Sequence, residues 1–301
     1  MIRNGYRQVV AILSLSLVTY FGCAQNTIAA EFLSAPEIRQ NSNPAVPLAA
    51  LLSFESVGAS ATRIKIDDGE RRWNVHYDRV PSIDKPLPIL GMRPDREFEI
   101  TVAILDAQGR EVVAPGLIQY ETPALPTDSY EWPSYEILKS DPSRMEPGIT
   151  IVQVRRWPLS RPQQMTPAQR NFVSDYGMLL GFDETGEVVW YYKPEHSLGG
   201  FERLDNGNIL YSSTSAGGVI EIDMLGNKLN IWYGENHDPG RSEGVKALPL
   251  GVRYLHHQPA PARNDTFLAF SVEPKTVPNY FTNEYDPIPR KEGLSSYWML
   301  S

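Results

Sequence analysis

The sequence predicts an all-β protein in which a small N-terminal β-sandwich precedes part of a β-propeller. Short segments of alternating apolar and polar residues, separated by Gly and Pro turns, predict strands along most of the chain. The 25 Pro and 22 Gly among 301 residues favour a turn-rich β architecture over a helical one. A turn followed by a strand also recurs after roughly 40 residues, which is typical of propeller blades.

The first 30 residues predict an export signal, which places the mature protein in the periplasm or outside the cell. Arg3 and Arg7 supply the positive charge that begins such a signal. The apolar stretch Val9–Phe21 follows, and it is too short to span a bilayer as a mature helix.

The end of this signal leaves two outcomes open. Cleavage after Ala24 or after Ala30 fits the small residues that precede a cleavage site. Alternatively, Cys23 follows Gly22 and would carry a lipid that anchors a lipoprotein to the membrane. Cys23 is the only cysteine of the chain, so an intrachain disulfide is excluded.

Residues 31–125 predict the β-sandwich, since short alternating strands recur there at close spacing. The segment Leu90–Pro94 before Phe98 resembles the corner that precedes a late strand in fibronectin type III domains. Those domains have Tyr where Phe98 stands, so the hydroxyl bond of that corner cannot form here. Strands are expected at Leu48–Phe54, Arg63–Ile66, Trp73–Tyr77, Phe98–Ile104 and Ile118–Thr122.

Residues 126–175 predict a linker that contains one entry strand. Closely spaced prolines forbid long regular elements there. The strand is expected at Gly148–Val154, and residues 161–172 are interpreted as a polar surface loop. No segment of the chain predicts an amphipathic helix of useful length.

Residues 176–301 predict propeller blades. Asp183–Gly186 leads into the strand Val188–Tyr192, and Asp223–Gly226 leads into the strand Lys228–Tyr233. Trp190 and Trp232 take equivalent places in the two copies, so both are expected to pack in the core. These 126 residues correspond to about three blades of roughly 40 residues each.

Further strands of this part are expected at Met178–Asp183, Asn208–Tyr211, Val219–Asp223 and Thr266–Val272. The Asn206-Gly207 pair is a hairpin signal. Residues 234–248 are interpreted as a polar loop.

An adjacent pair of histidines, His256-His257, follows the second copy of the repeat. In a regular strand neighbouring side chains point to opposite faces, so at most one of the two is expected to face a site. Arg253, three residues earlier, is a candidate substrate-binding residue. His196 and His237 lie in predicted loops, and their spacing does not supply the ligands of a metal site, so no metal is expected. The net charge of −8 argues against nucleic acid as the main partner.

The order of the motifs resembles the bacterial arylsulfotransferase family, whose members are exported proteins with a small sandwich followed by a six-bladed propeller. The strings that carry the resemblance are Gly148–Thr150, Gly181–Tyr192, Leu204–Leu210, His256-His257 and Ser271–Val277. The resemblance implies sulfuryl transfer from a phenolic sulfate ester to a phenol acceptor by way of a histidine. It implies no nucleotide sulfate donor, so no cofactor is expected.

Only the His256-His257 pair can be carried over from the family's site, and one of the two is expected to contact the sulfuryl group or the phenol oxygen. The family commonly has an acidic residue after the pair; here Gln258 can orient an imidazole but adds no charge. The family's covalent histidine and a later arginine are expected beyond residue 301.

The chain is therefore expected to be a C-terminally truncated and impaired enzyme, unless a homodimer or a complementing chain supplies the missing blades. Two alternatives remain open. The chain is a non-enzymatic binding module of the envelope, for carbohydrate or protein, or it is an inactive gene fragment.

Overall fold

The computed structural model describes residues 28–156, 165–213, 216–235, 237, 244–280 and 290–300. The predicted all-β class is confirmed, because the described residues form successive sheets and a single short α-helix. Within these ranges no helix is long and apolar enough to cross a membrane. The predicted export signal and Cys23 lie outside the described residues.

Ten strands form the N-terminal part of the chain. They pair as a sheet of order β2-β3-β7, a sheet of order β10-β8-β5-β6 with β9 alongside β8, and a small β1-β4 ladder. All of these pairings are antiparallel. The strands are β1 Glu31–Phe32, β2 Glu37–Gln40, β3 Ala50–Ser53, β4 Ser56–Val57, β5 Ala61–Asp67, β6 Arg72–Tyr77, β7 Leu87–Ile89, β8 Glu97–Leu105, β9 Glu111–Val113 and β10 Ile118–Glu121.

The two larger N-terminal sheets share one hydrophobic core. Leu52 and Leu87 come from one sheet, Ile64 and Phe98 from the other, and all four side chains are fully buried. Alternation along β5 and the first half of β8 places every second residue in this core, as the sequence pattern predicts. Phe98 lies edge-on to Trp73, with ring centroids 6.1 Å apart.

Eleven further strands follow, in three sheets whose antiparallel neighbours are consecutive in the chain. The sheets have the orders β11-β12-β13, β14-β15-β16-β17 and β19-β20-β21, and β18 pairs in parallel with β17. The elements are β11 Thr150–Arg155, α1 Pro167–Asp175, β12 Gly177–Phe182, β13 Val188–Tyr192, β14 Gly200–Arg203, β15 Ile209–Ser213, β16 Gly218–Ile222, β17 Lys228–Tyr233, β18 Lys246–Pro249, β19 Leu255–Pro261, β20 Phe267–Tyr280 and β21 Arg290–Leu300. A short 3₁₀ turn, Pro142–Arg144, precedes β11.

The two Asp-x-x-Gly copies form the same turn. In each, one carboxylate oxygen accepts the backbone N–H groups of the residues two and four positions further on, at 2.9–3.1 Å. Gly186 and Gly226 close these turns with φ of 88° and 81°, values that favour glycine. Trp190 is buried, as expected, and its indole N–H donates to the carbonyl of Met224 at 3.0 Å. The repeat therefore has a structural role, because the hydrogen bond from Trp190 to Met224 connects two neighbouring sheets.

Two predictions about local structure are wrong. Part of the predicted loop 161–172 is helical, because Thr166 and Gln169 form a reciprocal capping box around Pro167 at the first helical position. Part of the predicted loop 234–248 is strand β18. The predicted strand at Leu48 begins at Ala50, since Val46, Leu48 and Ala49 instead pack against residues of the second part of the chain.

Candidate functional site

Strand β19 begins at Leu255, one residue before the histidine pair, and a bulge follows His256 directly. His256 pairs with Phe270, and the next paired residue is Ala260, opposite Leu268. Three residues, 257–259, therefore stand opposite the single residue Ala269. At the first of them, His257, φ is 61°, a left-handed value that non-glycine residues seldom adopt. Bulges and such backbone values cluster near functional sites, where they redirect side chains.

The bulge brings the two imidazole rings together. Their centroids lie 4.7 Å apart at an interplanar angle of 80°. His256 stacks on the ring of Phe270 at 6.2 Å, and His257 meets the same ring edge-on at 5.9 Å. His256 is 7% exposed and His257 is exposed, as strand alternation predicts. Of the two rings, only that of His257 is exposed, and the irregular backbone at His257 keeps it in contact with the ring of His256. The expectation that at most one of them faces a site stays a prediction.

Burial lowers the pKa of His256 below its ordinary value of 6.5, and the neighbouring His257 lowers it further. Both causes disfavour the imidazolium form. His256 is consequently neutral near pH 7. A neutral imidazole can take up or donate a proton at its ring nitrogens, which is what acid–base chemistry at an oxygen requires.

Strand β14 contacts the bulge through Gly200 and Glu202, both of which approach Gln258. The side-chain amide of Gln258 donates a hydrogen bond to the carboxylate of Glu202. At Gly200, a Cβ atom would lie 2.7 Å from the Cα atom of Gln258, so only glycine permits this approach. Gln258 itself carries no charge, and the carboxylate next to the bulge is that of Glu202. Sequence reasoning missed both residues; the Gly199-Gly200 pair at the start of β14 was the available signal for Gly200.

The first strands of the three C-terminal sheets line one groove of about 500 Å³. One wall is apolar and the rest carries amide, guanidinium and carboxylate groups. Its lining residues are Ile149, Ile151 and Gln153 at β11, Phe201, Glu202 and Arg203 on β14, and Gln258 on β19.

His256 and His257 are not among the residues that line the groove, whereas the adjacent Gln258 is. The remaining predicted residues lie elsewhere. Arg253 is exposed in the turn before β19, its backbone packs on Gly234, and it does not line the groove; Arg203 does. His196 lies 3.7 Å from a carboxylate oxygen of Asp175 at a half-exposed position. His237 packs its ring against Gly217. Within the described ranges, no group of three or more His, Cys, Asp and Glu side chains is arranged to hold a metal ion.

Comparison with known proteins identifies the family of the chain. The family model described as Arylsulfotransferase (ASST) matches residues 134–285, which is 152 of the 301 residues. The matched range contains β11, β14, the bulge of β19 and the groove between them. No curated protein matches the chain. With half of its length matched by the family model, the chain belongs to the arylsulfotransferase family.

Proposed function

We propose that this protein transfers a sulfuryl group from a phenolic sulfate ester to a phenol, and that the groove beside the His256-His257 pair binds the aryl substrates. The observation that carries the proposal is the bulge of β19. It places two histidines in ring contact next to a groove with both an apolar wall and polar donors. The family of the chain supplies the reaction class.

The chemistry explains the residue types. As the bond between sulfur and the donor oxygen breaks, that oxygen takes up a proton. As the bond between sulfur and the acceptor oxygen forms, the acceptor phenol gives one up, so protons balance over the whole transfer. An imidazole can accept and donate protons at its two ring nitrogens and can therefore serve both steps. We assign this role to His257, because it is the exposed member of the pair, with His256 neutral behind it.

The groove supplies the remaining interactions in this proposal. Ile149, Ile151 and Phe201 provide apolar contacts for an aromatic ring. Arg203 and the amides of Gln153 and Gln258 donate toward the sulfuryl oxygens, on which negative charge is spread during transfer. The covalent step that the family carries out on a histidine is assigned to no residue of this chain.

The proposal extends to the architecture. We infer a fibronectin-like sandwich over residues 31–125, a linker over 126–175 and propeller blades from 176. Consecutive antiparallel sheets whose first strands face one groove support this arrangement, since propeller blades present their first strands to a central channel.

We also propose that the protein acts outside the cytoplasm. Residues 1–30 support export. Mass spectrometry of the N-terminal peptide of the mature protein distinguishes cleavage after Ala24 or after Ala30 from lipid attachment at Cys23. An uncleaved chain in the cytoplasm would contradict export.

The test is an assay with 4-nitrophenyl sulfate as donor and a second phenol as acceptor. We expect nitrophenol release that depends on the acceptor, and a fall in kcat/KM of about 10²–10⁴-fold in His257→Ala, the usual contribution of a general acid–base group. His76→Ala is the matched control, because His76 is exposed on β6 and paired with Asp78. Absence of acceptor-dependent release by the wild-type protein overturns the proposal. Full activity of His257→Ala removes that residue from the mechanism.

A further inference from the structure

We propose that Gly200 and Glu202 on β14 are positioning residues that hold the 257–259 bulge and thereby fix His257 beside His256. The inference deepens the proposed function, on which it rests only for its activity readout. The support that β14 gives to the left-handed backbone of β19 at His257 does not depend on the activity.

Gly200 sets how closely β14 and the bulge approach. A Cβ atom at position 200 would lie 2.7 Å from both the Cα and the Cβ atoms of Gln258, and 3.0 Å from its backbone nitrogen. Two of these are backbone atoms, so a rotamer change cannot relieve the overlap. Any larger residue at position 200 must displace the backbone one residue after His257.

Glu202 adds a directional contact to this approach. It accepts a hydrogen bond from the side-chain amide of Gln258. Hydrogen bonds to an ionised group are about twice as strong as those between neutral groups. The contact joins strands that are 56 residues apart in the chain, and it ties the middle residue of the bulge to β14.

His257 needs such support. A non-glycine residue in the left-handed region costs about 1–3 kcal/mol and persists only where its surroundings hold it. The residues on either side of it are fixed by different contacts: His256 by pairing with Phe270, and Gln258 by Gly200 and Glu202. Loosening the second anchor lets residue 257 relax and separates the two imidazole rings.

The experiment measures ring contact by NMR in the folded full-length chain, from the nuclear Overhauser effect between ring protons of His256 and His257. We expect the effect in the wild type and its loss in Gly200→Ala. Gly251→Ala is the matched control, because Gly251 precedes the same strand and a Cβ atom added there would meet no other atom within 4 Å. The effect should persist in that control. An unchanged effect in folded Gly200→Ala overturns the role of Gly200.

A charge swap tests Glu202 and stays informative if Gly200→Ala fails to fold. Gln258→Glu places the carboxylates of residues 202 and 258 side by side. Their repulsion should abolish the contact between the rings of His256 and His257. The double variant Glu202→Gln with Gln258→Glu restores one amide and one carboxylate, and should recover the contact. Persistence of the contact in Gln258→Glu, or its failure to return in the double variant, overturns the role of Glu202.

Activity then separates this inference from the proposed function. In an active enzyme, Gly200→Ala should lower kcat by about tenfold or more, whereas Gly251→Ala should leave kcat unchanged. A wild-type protein without sulfuryl transfer that still shows the expected pattern of ring contacts contradicts the proposed function and leaves the positioning role intact.

Discussion

The two adjacent histidines lie in different surroundings, and this difference predicts how the protein responds to pH. Burial and the neighbouring His257 hold the pKa of His256 below 6.5 in the folded protein, whereas the unfolded chain regains the ordinary value. As the pH falls below about 6.5, the unfolded state therefore binds a proton that the folded state does not. The free energy of unfolding therefore decreases as the pH falls below about 6.5, and it stops decreasing only below the pKa of His256 in the folded protein.

We expect the urea midpoint of the wild-type protein to fall between pH 7.5 and pH 5, and expect a smaller fall in His256→Gln. The difference amounts to about 1.4 kcal/mol for each unit by which the pKa of His256 is lowered. An undiminished dependence in His256→Gln would show that His256 is not the group responsible.

At the scale of single elements, the two Asp-x-x-Gly turns share their hydrogen bonds but differ in what surrounds them. Burial alone would raise the pKa of Asp183, but the hydroxyl and amide of Thr185 and the guanidinium of Arg93 lower it overall. Arg93, which lies just before β8, approaches this carboxylate at 3.0 Å, and both side chains are buried. Asp223, in contrast, binds only within its own turn among the described contacts.

We predict that Arg93→Ala lowers the free energy of unfolding by about 1.5–3 kcal/mol, because it removes the cation that hydrogen-bonds the buried carboxylate of Asp183 and leaves only Arg71, at 3.8 Å. Arg96→Ala is the matched control: Arg96 lies 3.8 Å from Glu187 at an exposed site and should cost less than about 1 kcal/mol. Chemical denaturation of the two variants measures both values. Equal costs would contradict a special role for the buried pair.

The same elements show which features the sequence can predict. The Asp-x-x-Gly turns and their strands were predictable, because the carboxylate binds backbone groups two and four residues away. Helix α1 was also predictable in principle, since Thr166 and Gln169 form a capping signal that is local in the sequence. The bulge was not, because its support comes from Gly200 and Glu202, and no period-two pattern encodes a contact between separate strands.

At the scale of the whole molecule, residues near the start of the chain complete the core of the later sheets. Leu48 is 1% exposed, and it packs with Met178 and Tyr191 of β12 and β13. Val46 packs in the next cluster with Trp190, and the amide of Asn41 donates to the carbonyl of Leu225 at 2.9 Å. Together with the Arg93–Asp183 pair, these contacts tie the N-terminal sheets to the sheets that carry the groove.

This sharing predicts that the two parts unfold together. Leu48→Ala should cost about 2–5 kcal/mol, the usual range for a buried leucine, although the residue lies just before a strand of the first part. Leu52→Ala, in the core of the N-terminal sheets, should lower the same calorimetric transition, whereas Leu33→Ala, 61% exposed, should leave it nearly unchanged. Two separate transitions, with Leu48→Ala and Leu52→Ala each shifting a different one, would contradict the coupling. A single shared transition would mean that the geometry of the histidine site depends on the integrity of the N-terminal sheets, because no unfolding of those sheets could occur without opening the core behind the groove.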